Sequence, residues 1–326
     1  MASRKKKRRS SRSPVAVILL MLLAIIAYTF FAAVEFYNID IGFEVDLKGA
    51  NIFEILSQKE GEDIDDPLPV PADGEAYYHF IDVGQGDAIL ITTAEGNMLV
   101  DTSEKGARDE LDAYLKAAGI TSIRYLVLTH PDADHIGNAD YVIQNYNVQT
   151  VLMTDHVATS KTYERLLDAI EEFDVELIIP ELGEVFTLGA VQNTVIAPVK
   201  DYDDPNEMSL VIKSVYGETS VMLTGDAEVE SEGDIVEKWS ESALKCDILK
   251  VGHHGSTTST TEEFLSLVAP KIAVISCGED NKYGHPHDET MEKLTQKGIT
   301  IYRTDTDGSI IFKTDGKAFS LVELRK

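Results

Sequence analysis

The stretch LTHPDADHIGN, residues 128–138, concentrates side chains that bind metal ions. It places four such groups within six positions, directly after an apolar run: His130, Asp132, Asp134 and His135. In extended backbone, side chains two residues apart lie on one face, so His130 and Asp132 can point the same way. Imidazole combined with carboxylate suits zinc or manganese. A second interpretation stays open at this point, in which His130 ends a strand and Asp132 or Asp134 caps a helix.

Three other apolar, strand-like runs also end in potential ligands. VMLTGDAE contains Asp226, ILKVGHHGSTTST contains His253 and His254, and VISCGEDNKYGHPH contains His285 and His287. Six of the eight histidines lie in these segments and in the stretch above. Binding sites on sheet scaffolds form at strand ends, so we expect the four segments to converge on one site.

The elements that must position these residues alternate in type. Strand-like runs such as YYHFIDVG, DAILITTA and IRYLVLTH occur between runs of helical spacing such as ARDELDAYLKAAG. The tail ITIYRTDTDGSIIFKTDGKAFSLVEL indicates hairpins with TDG turns. Residues 74–326 are therefore expected to form one α/β (α+β) domain of two sheets flanked by helices. The acidic, proline-containing residues 36–73 indicate a linker.

The motifs HPDADH, GD and GHHGS, with the earlier FIDVGQGDAILI and LVDTS, resemble the metallo-β-lactamase superfamily. More narrowly, they resemble the hydrolase domain of ComEC-type competence proteins, in order from about Tyr78 to His287. The resemblance implies a four-layer αββα sandwich. It also implies a site for two divalent metal ions, zinc or manganese, among the loops between the sheets.

By this resemblance, each residue of the metal site has a role. His130 and Asp132 would bind the first metal, and Asp134 and His135 would bind the second. Asp226 would bridge the two ions.

The adjacent histidines of GHHGS and two further aspartates complete the implied site. His253, in preference to His254, would be the last ligand of the second metal. Asp101 would brace the ligand loop from beneath, and Asp82 would give structural support.

The sequence departs from the superfamily pattern in two places. Asp132 stands where the superfamily usually has histidine. The segment before the GD motif, DPNEMSLVI, offers Asn206 and Ser209 but no histidine. We therefore expect the first metal position to be weak, completed by water or filled only with substrate, with Asn206 and Ser209 as candidates for substrate contacts.

The implied chemistry is hydrolysis of a phosphodiester. Two neighbouring divalent ions would hold a hydroxide for attack and position the substrate in line. Asp134 is therefore predicted to be a catalytic residue as well as a metal ligand. A leaving alkoxide needs a proton, for which His254 and His285 are candidates. Lys250 and Lys282 are candidates for phosphate contacts. The alternatives are that Lys250 only ends a strand and that His285 only shapes its loop.

The N-terminal segment differs in composition from the rest of the chain. Residues 2–13 contain seven Lys or Arg and no acidic residue, and residues 15–34 are uncharged and largely apolar. About 20 apolar residues in a helix span a bilayer. We therefore expect a basic cytoplasmic tail over residues 1–13 and a single transmembrane anchor over residues 14–35, with the following domain extracellular. The alternative is a cleaved signal peptide and a secreted protein.

The net charge of the chain affects which substrates it can attract. Outside the basic tail, 22 Lys and Arg stand against 56 Asp and Glu, a formal charge of −34. Such a domain repels polyanions at long range. The favoured interpretation is nevertheless a membrane-anchored, extracytoplasmic, metal-dependent phosphodiesterase or DNase. The alternatives are a hydrolase of another extracellular phosphodiester, such as a choline or teichoic-acid ester, and a non-catalytic surface module that binds metal or a partner.

Overall fold

Two β-sheets pack face to face in the computed structural model, which describes residues 68–325. These residues belong to the second of two units into which the chain divides, Asp63–Lys326. Among residues 68–325, no helix is both long and apolar enough to cross a bilayer. The expected tail and anchor, residues 1–35, lie outside the described residues. Leu68, placed by sequence in the linker, already packs into the apolar core.

The first sheet has eight strands in the order β15-β14-β1-β2-β3-β4-β5-β6, numbered along the chain. Its strands are β1 (Ala76–Phe80), β2 (Ile89–Thr93), β3 (Gly96–Val100), β4 (Ser122–Leu128), β5 (Asn147–Met153), β6 (Glu176–Ile178), β14 (Ser309–Thr314) and β15 (Phe319–Arg325).

The second sheet has seven strands in the order β13-β12-β11-β10-β9-β8-β7. Its strands are β7 (Val185–Leu188), β8 (Val191–Ala197), β9 (Val211–Tyr216), β10 (Thr219–Leu223), β11 (Ile248–Lys250), β12 (Ile272–Ile275) and β13 (Thr300–Arg303).

Helices cover the outer faces of both sheets. They are α1 (Arg108–Ala117), α2 (Ala133–Ile136), α3 (Ala139–Asn145), α4 (Lys161–Glu172), α5 (Val229–Lys238), α6 (Glu241–Leu244), α7 (Glu262–Val268), α8 (Asp288–Gln296) and α9 (Thr304–Asp307).

Side-chain alternation along the strands sorts the apolar residues into layers. In β1, Tyr78 and Phe80 point into the core between the sheets, whereas Tyr77 packs on the opposite face under α1. A third cluster, which includes Phe264 of α7 and Leu249 of β11, fills the space between the second sheet and its helices. The predicted two-sheet α/β sandwich is confirmed.

Parallel pairing explains why the ligand segments meet. β3, β4 and β5 pair in parallel in the first sheet. In the second sheet, β10, β11, β12 and β13 also pair in parallel. Because the carboxyl ends of parallel strands lie at one edge, the segments after β3, β4, β10, β11 and β12 converge there.

The C-terminal tail is only partly a hairpin. β14 and β15 pair in antiparallel register around the second TDG, as expected. The first TDG, at 306–308, was wrongly predicted as a hairpin turn, because β13 pairs in parallel with β12 and α9 then leads to the other sheet. The Thr304 hydroxyl holds this crossover: it accepts a hydrogen bond from the Cys277 amide and donates one to the Cys277 carbonyl.

Candidate metal centre

Three buried imidazoles meet at the carboxyl ends of the strands. The ring centroids of His130 and His135 lie 4.1 Å apart, and those of His135 and His254 lie 5.3 Å apart. The carboxylate of Asp226 lies among them, with Oδ2 3.3 Å from His135 Nε2 and 3.4 Å from His254 Nε2. Three segments that are separated in sequence thus present their polar ends to one small volume.

Within residues 68–325, several atoms that face this volume have no hydrogen-bond partner in the protein. Nε2 of His130, His135 and His254 and Oδ1 of Asp226 are all buried without a hydrogen bond. Leaving a buried donor or acceptor unsatisfied is costly, and native proteins rarely do so. Imidazole nitrogens and a carboxylate oxygen that face each other are the ligands of a divalent transition metal. The residues present therefore fit a metal ion.

Asp101 holds His135 in the orientation that a ligand needs. Its Oδ2 accepts a hydrogen bond from His135 Nδ1 at 2.8 Å, which leaves Nε2 free to bind metal. Its carboxylate also accepts from the backbone amide and the hydroxyl of Thr129, each at 2.8 Å. Asp101 thus lies beneath the ligand loop, where the resemblance implied a brace.

His130 has the same tautomer by a similar argument. The Thr129 hydroxyl donates to Asp101, so it accepts from His130 Nδ1, which lies 3.1 Å away. Nε2 of His130 is again the nitrogen left for a metal.

The two histidines of GHHGS take roles opposite to those predicted. Both have left-handed backbone, with φ of 45° at His253 and 53° at His254. His254 turns inward, donates from Nδ1 to the Ser276 carbonyl at 2.9 Å, and lies with Nε2 3.4 Å from Asp134 Oδ2. His253 instead has Nδ1 2.7 Å from Glu228 Oε1. In residues 68–325, the groups that could hold a metal include His254 but not His253, so the structure corrects that assignment.

Two candidate metal positions would share the Asp226 carboxylate, and they differ in their donors. The donor-rich position comprises Asp134, His135, Asp226 and His254. The donor-poor position has His130 with His135 and Asp226, both of which belong to the donor-rich set. His130 is therefore the one residue of the donor-poor group that does not also belong to the donor-rich group.

Asp132 and Ser209 do not enlarge the donor-poor position. The Asp132 side chain is exposed, and the residue contributes its backbone carbonyl to the start of α2; it belongs to none of the candidate groups among residues 68–325, and its role as a ligand stays a prediction. Ser209 is fully buried behind His130, with Oγ 3.4 Å from Nδ1, and accepts from the Asp226 amide at 3.1 Å. Burial excludes the predicted substrate contact by Ser209. Asn206 lies at the rim and donates to Glu228 at 3.3 Å.

Lys250 was expected to contact phosphate, and the structure corrects this. Its side chain is fully buried, and Nζ lies 2.7 Å from Asp87 Oδ2. Nζ also donates to the Val251 carbonyl at 2.9 Å. The Asp87 carboxylate in turn lies 3.5 Å from Nδ1 of His254. Lys250 thus neutralises a buried acid behind a candidate ligand and does not reach a substrate.

Asp87 is the residue that sequence reasoning missed, and Asp82 was chosen in its place. Asp82 is exposed, and its carboxylate accepts from the Gly84 amide in a turn away from the candidate ligands, so its predicted support of the site is corrected. The Asp87 amide donates to the Asp134 carbonyl at 3.2 Å, and a Cβ at Gly86 would lie 2.3 Å from that oxygen. The sequence feature that could have identified Asp87 is its position between Gly86 and an apolar strand.

The rim of the centre holds the remaining predicted residues. The ring of His285 lies 5.4 Å from that of His253 and 6.2 Å from that of His254. Burial, with the neighbouring imidazoles, lowers the pKa of His285 to about 4. Burial opposes protonation of His253 too, but the hydrogen bond to Glu228 and the negative charges of Asp226 and Glu228 together outweigh it and raise the pKa. Lys282 is exposed at this rim.

Comparison with known proteins bears on this arrangement. The family model for the metallo-beta-lactamase superfamily matches residues 81–279. The chain belongs to the metallo-β-lactamase superfamily. Solved structures with a similar fold include YhfI from Bacillus subtilis, with a TM-score of 0.52, 10% identity, and coverage of 73% of this chain and 100% of that one. CmlA from Streptomyces venezuelae, a diiron beta-hydroxylase, matches with a TM-score of 0.50, 12% identity and coverage of 79% and 55%.

Within the superfamily, curated ComEC-type competence proteins are similar to this chain. ComE operon protein 3 of Bacillus subtilis is 33% identical over 73% of this chain and 33% of its own length. Competence protein ComA of Neisseria gonorrhoeae is 31% identical over 76% and 33%. Recombination protein 2 of Haemophilus influenzae is 32% identical over 71% and 28%. The chain thus spans about a third of the length of these relatives. The superfamily fold and the ligand groups together indicate a metal-dependent hydrolase that binds divalent ions.

Proposed function

We propose that this protein is a metal-dependent phosphodiesterase that cleaves DNA. The observation that carries the proposal is the set of four buried, unpartnered donor atoms at the carboxyl ends of the strands. The similarity to ComEC-type proteins supports a DNA substrate. Divalent zinc or manganese ions, one at each position, would supply an activated water and stabilise charge on the phosphodiester.

The protein's own residues divide the remaining work. Asp101 and Ser276 orient His135 and His254 through their Nδ1 atoms. His253 stands at the mouth, with Nε2 3.8 Å from Asp226 Oδ2 and with Nδ1 bonded to Glu228. Because the Glu228 hydrogen bond and the nearby carboxylate charges raise the pKa of His253 and so favour its protonated form, we assign His253 the proton for the leaving alkoxide.

The other candidate donors suit that role less well. His254 has Nδ1 bonded to the Ser276 carbonyl, and its Nε2 faces Asp226 as a candidate metal ligand. His285 has a lowered pKa and is neutral at pH 7. Lys282, exposed beside this rim, is proposed to contact a phosphate of the substrate.

The proposal extends to location. The basic and apolar segments over residues 1–35 support a single-pass membrane protein with the hydrolase domain outside the cytoplasm. Its partners would then be the membrane and an extracellular polyanion. Divalent ions in the centre would offset locally the repulsion from the acidic surface.

A nuclease assay on the full-length chain in mild detergent tests the proposal. Labelled single-stranded DNA is incubated with Mn²⁺ or Zn²⁺, and wild type is compared with Asp226→Asn and with Asp174→Asn. Asp174 is exposed and has a φ of 52°, a conformation that asparagine tolerates. We expect metal-dependent cleavage that Asp226→Asn abolishes and Asp174→Asn retains.

Small chromogenic phosphodiesters form the second arm of that assay. Turnover of these compounds without DNA cleavage would overturn the DNA assignment and favour another extracellular phosphodiester. Failure to cleave either substrate, in protein shown to bind metal, would favour the non-catalytic module.

A further inference from the structure

An exposed aromatic ring stands at the mouth of the metal centre. The Tyr283 side chain is 49% exposed. Its ring lies nearly parallel to that of His285, at 19°, with centroids 5.6 Å apart. His285 in turn lies at 28° to His254, with centroids 6.2 Å apart. Two ring-to-ring steps therefore lead from solvent to a residue of the donor-rich position.

The loop that carries this ring is held in one shape. Asn281 Oδ1 accepts hydrogen bonds from the amides of Tyr283 and His285, at 3.2 and 3.0 Å. Its Nδ2 donates to the carbonyls of Gly278 and His285, at 2.9 and 2.6 Å. One side chain thus satisfies four backbone groups of the loop. A ring held this way loses little conformational freedom when it binds a ligand.

The ring has a cation beside it on a surface that is otherwise acidic. Lys282 is exposed, and its Nζ lies 4.8 Å from the centroid of the Tyr283 ring. The whole chain has a formal charge of −27, so a lysine at the mouth of the centre opposes the general sign. Proteins that bind single-stranded nucleic acids combine cations along the backbone with aromatic rings on which bases stack.

We propose that Tyr283 is a stacking platform for a nucleobase adjacent to the scissile phosphodiester, with Lys282 on the neighbouring phosphate. The proposal rests on the phosphodiesterase function above and narrows its substrate to base-bearing single strands. Choline and teichoic-acid esters have no planar base for such a ring. Because stacking requires an unpaired base, duplex DNA is excluded from this subsite.

Binding, measured separately from cleavage, tests the platform. A dye-labelled thymidine oligonucleotide and an abasic oligonucleotide of the same length and charge, both with phosphorothioate linkages, are titrated in Mn²⁺ by fluorescence anisotropy. The full-length variants are Tyr283→Ala, Tyr283→Phe and Phe173→Ala. Phe173, 45% exposed just after α4, is the matched control for loss of an exposed ring.

We expect wild type to prefer the base-bearing strand, by roughly 5- to 150-fold per stacked base. Tyr283→Ala should remove this preference without weakening the abasic strand, whereas Tyr283→Phe and Phe173→Ala should retain it. The platform would be overturned if wild type bound the two strands with equal affinity, or if it bound neither strand. It would also be overturned if Tyr283→Ala lowered the affinity for both strands equally.

The outcomes also separate the two proposals. A preference for the base-bearing strand without any cleavage would contradict the hydrolase and leave the platform in place. Cleavage of DNA without that preference would contradict the platform and leave the hydrolase.

Discussion

The two candidate metal positions at Asp226 differ in their donors. Asp134, His135 and His254 make the donor-rich position with Asp226. In the donor-poor position, His130 is the one donor that does not also belong to the donor-rich position. Their supports differ as well. Behind the donor-rich position lie Asp101, the Ser276 carbonyl and the buried pair of Asp87 and Lys250; behind His130 lie two hydroxyls, those of Thr129 and Ser209. A carboxylate or carbonyl that accepts from an imidazole raises its basicity as a ligand more than a hydroxyl does. The comparison predicts that the two positions differ in their affinity for a metal ion.

Removing one unshared histidine from each position gives the largest expected contrast. His254→Ala should lower the affinity for the tighter-binding metal ion, by more than the 10- to 100-fold that is typical when a residue behind a ligand is changed. His130→Ala should leave that ion nearly unchanged and remove only the weaker one. Competition titrations with a chromogenic chelator measure both affinities. Equal losses in the two variants would show that the positions are equivalent.

The buried pair behind His254 should contribute strongly to stability. Lys250→Met leaves Asp87 as an uncompensated buried charge, which costs about 3–5 kcal/mol of unfolding free energy. Lys282→Met is the matched control, because Lys282 is exposed, and should stay within about 0.5 kcal/mol of wild type. Urea denaturation of the metal-free proteins measures both. If Lys250→Met were as stable as Lys282→Met, the buried pair would have no structural role.

The bond from Asp101 to His135 should tune the donor-rich position at a distance from the metal. Asp101→Asn keeps the shape but loses the carboxylate, and we expect metal affinity to fall roughly 10- to 100-fold. Asp174→Asn is the matched control, since both aspartates have left-handed backbone, with φ of 59° and 52°. An unchanged affinity in Asp101→Asn would limit Asp101 to holding the loop.

A buried acid near the GHHGS loop should make stability depend on pH. Glu232 accepts from the amides of Thr260 and Thr261, at 2.6 and 2.7 Å, and its burial raises its pKa from 4.5 to about 7. The folded protein therefore keeps this proton to higher pH than the unfolded chain does. The resulting stability is complete below about pH 4.5 and is lost as pH rises through about 7, by at most ~3 kcal/mol.

Comparison with Glu232→Gln isolates that contribution. Wild type should lose unfolding free energy relative to the variant between pH 4.5 and 7, as measured by denaturation at a series of pH values. A constant difference between the two proteins across this range would contradict the assignment.

The parts of the structure that the sequence predicted well rest on local patterns. Apolar runs that end in HPDADH, GD and GHHGS indicated strands whose ends converge, and the two-sheet fold brings those ends together. The β7–β8 hairpin was not predicted, because β7 is a short edge strand with exposed Val185 and only partly buried Phe186.

The errors in the site concern choices that spacing cannot decide. His253 and His254 are adjacent, and two successive left-handed residues determine which of them turns inward. Lys250 is the last residue of an apolar strand and Lys282 lies in the loop after the next one, but of the two only Lys250 meets a buried carboxylate, from Asp87, a residue distant in sequence. Tertiary contacts decide which of the two histidines turns inward and which of the two lysines is buried.

Metal content tests the central claim most directly. The full-length wild type and Asp226→Asn are dialysed against increasing free Zn²⁺ or Mn²⁺, and bound metal is counted by inductively coupled plasma mass spectrometry. We predict one ion per wild-type chain at low free metal, a second only at much higher concentration, and loss of both in Asp226→Asn. Two ions that bind wild type with equal affinity, or wild-type metal content in Asp226→Asn, would contradict the unequal, Asp226-bridged centre.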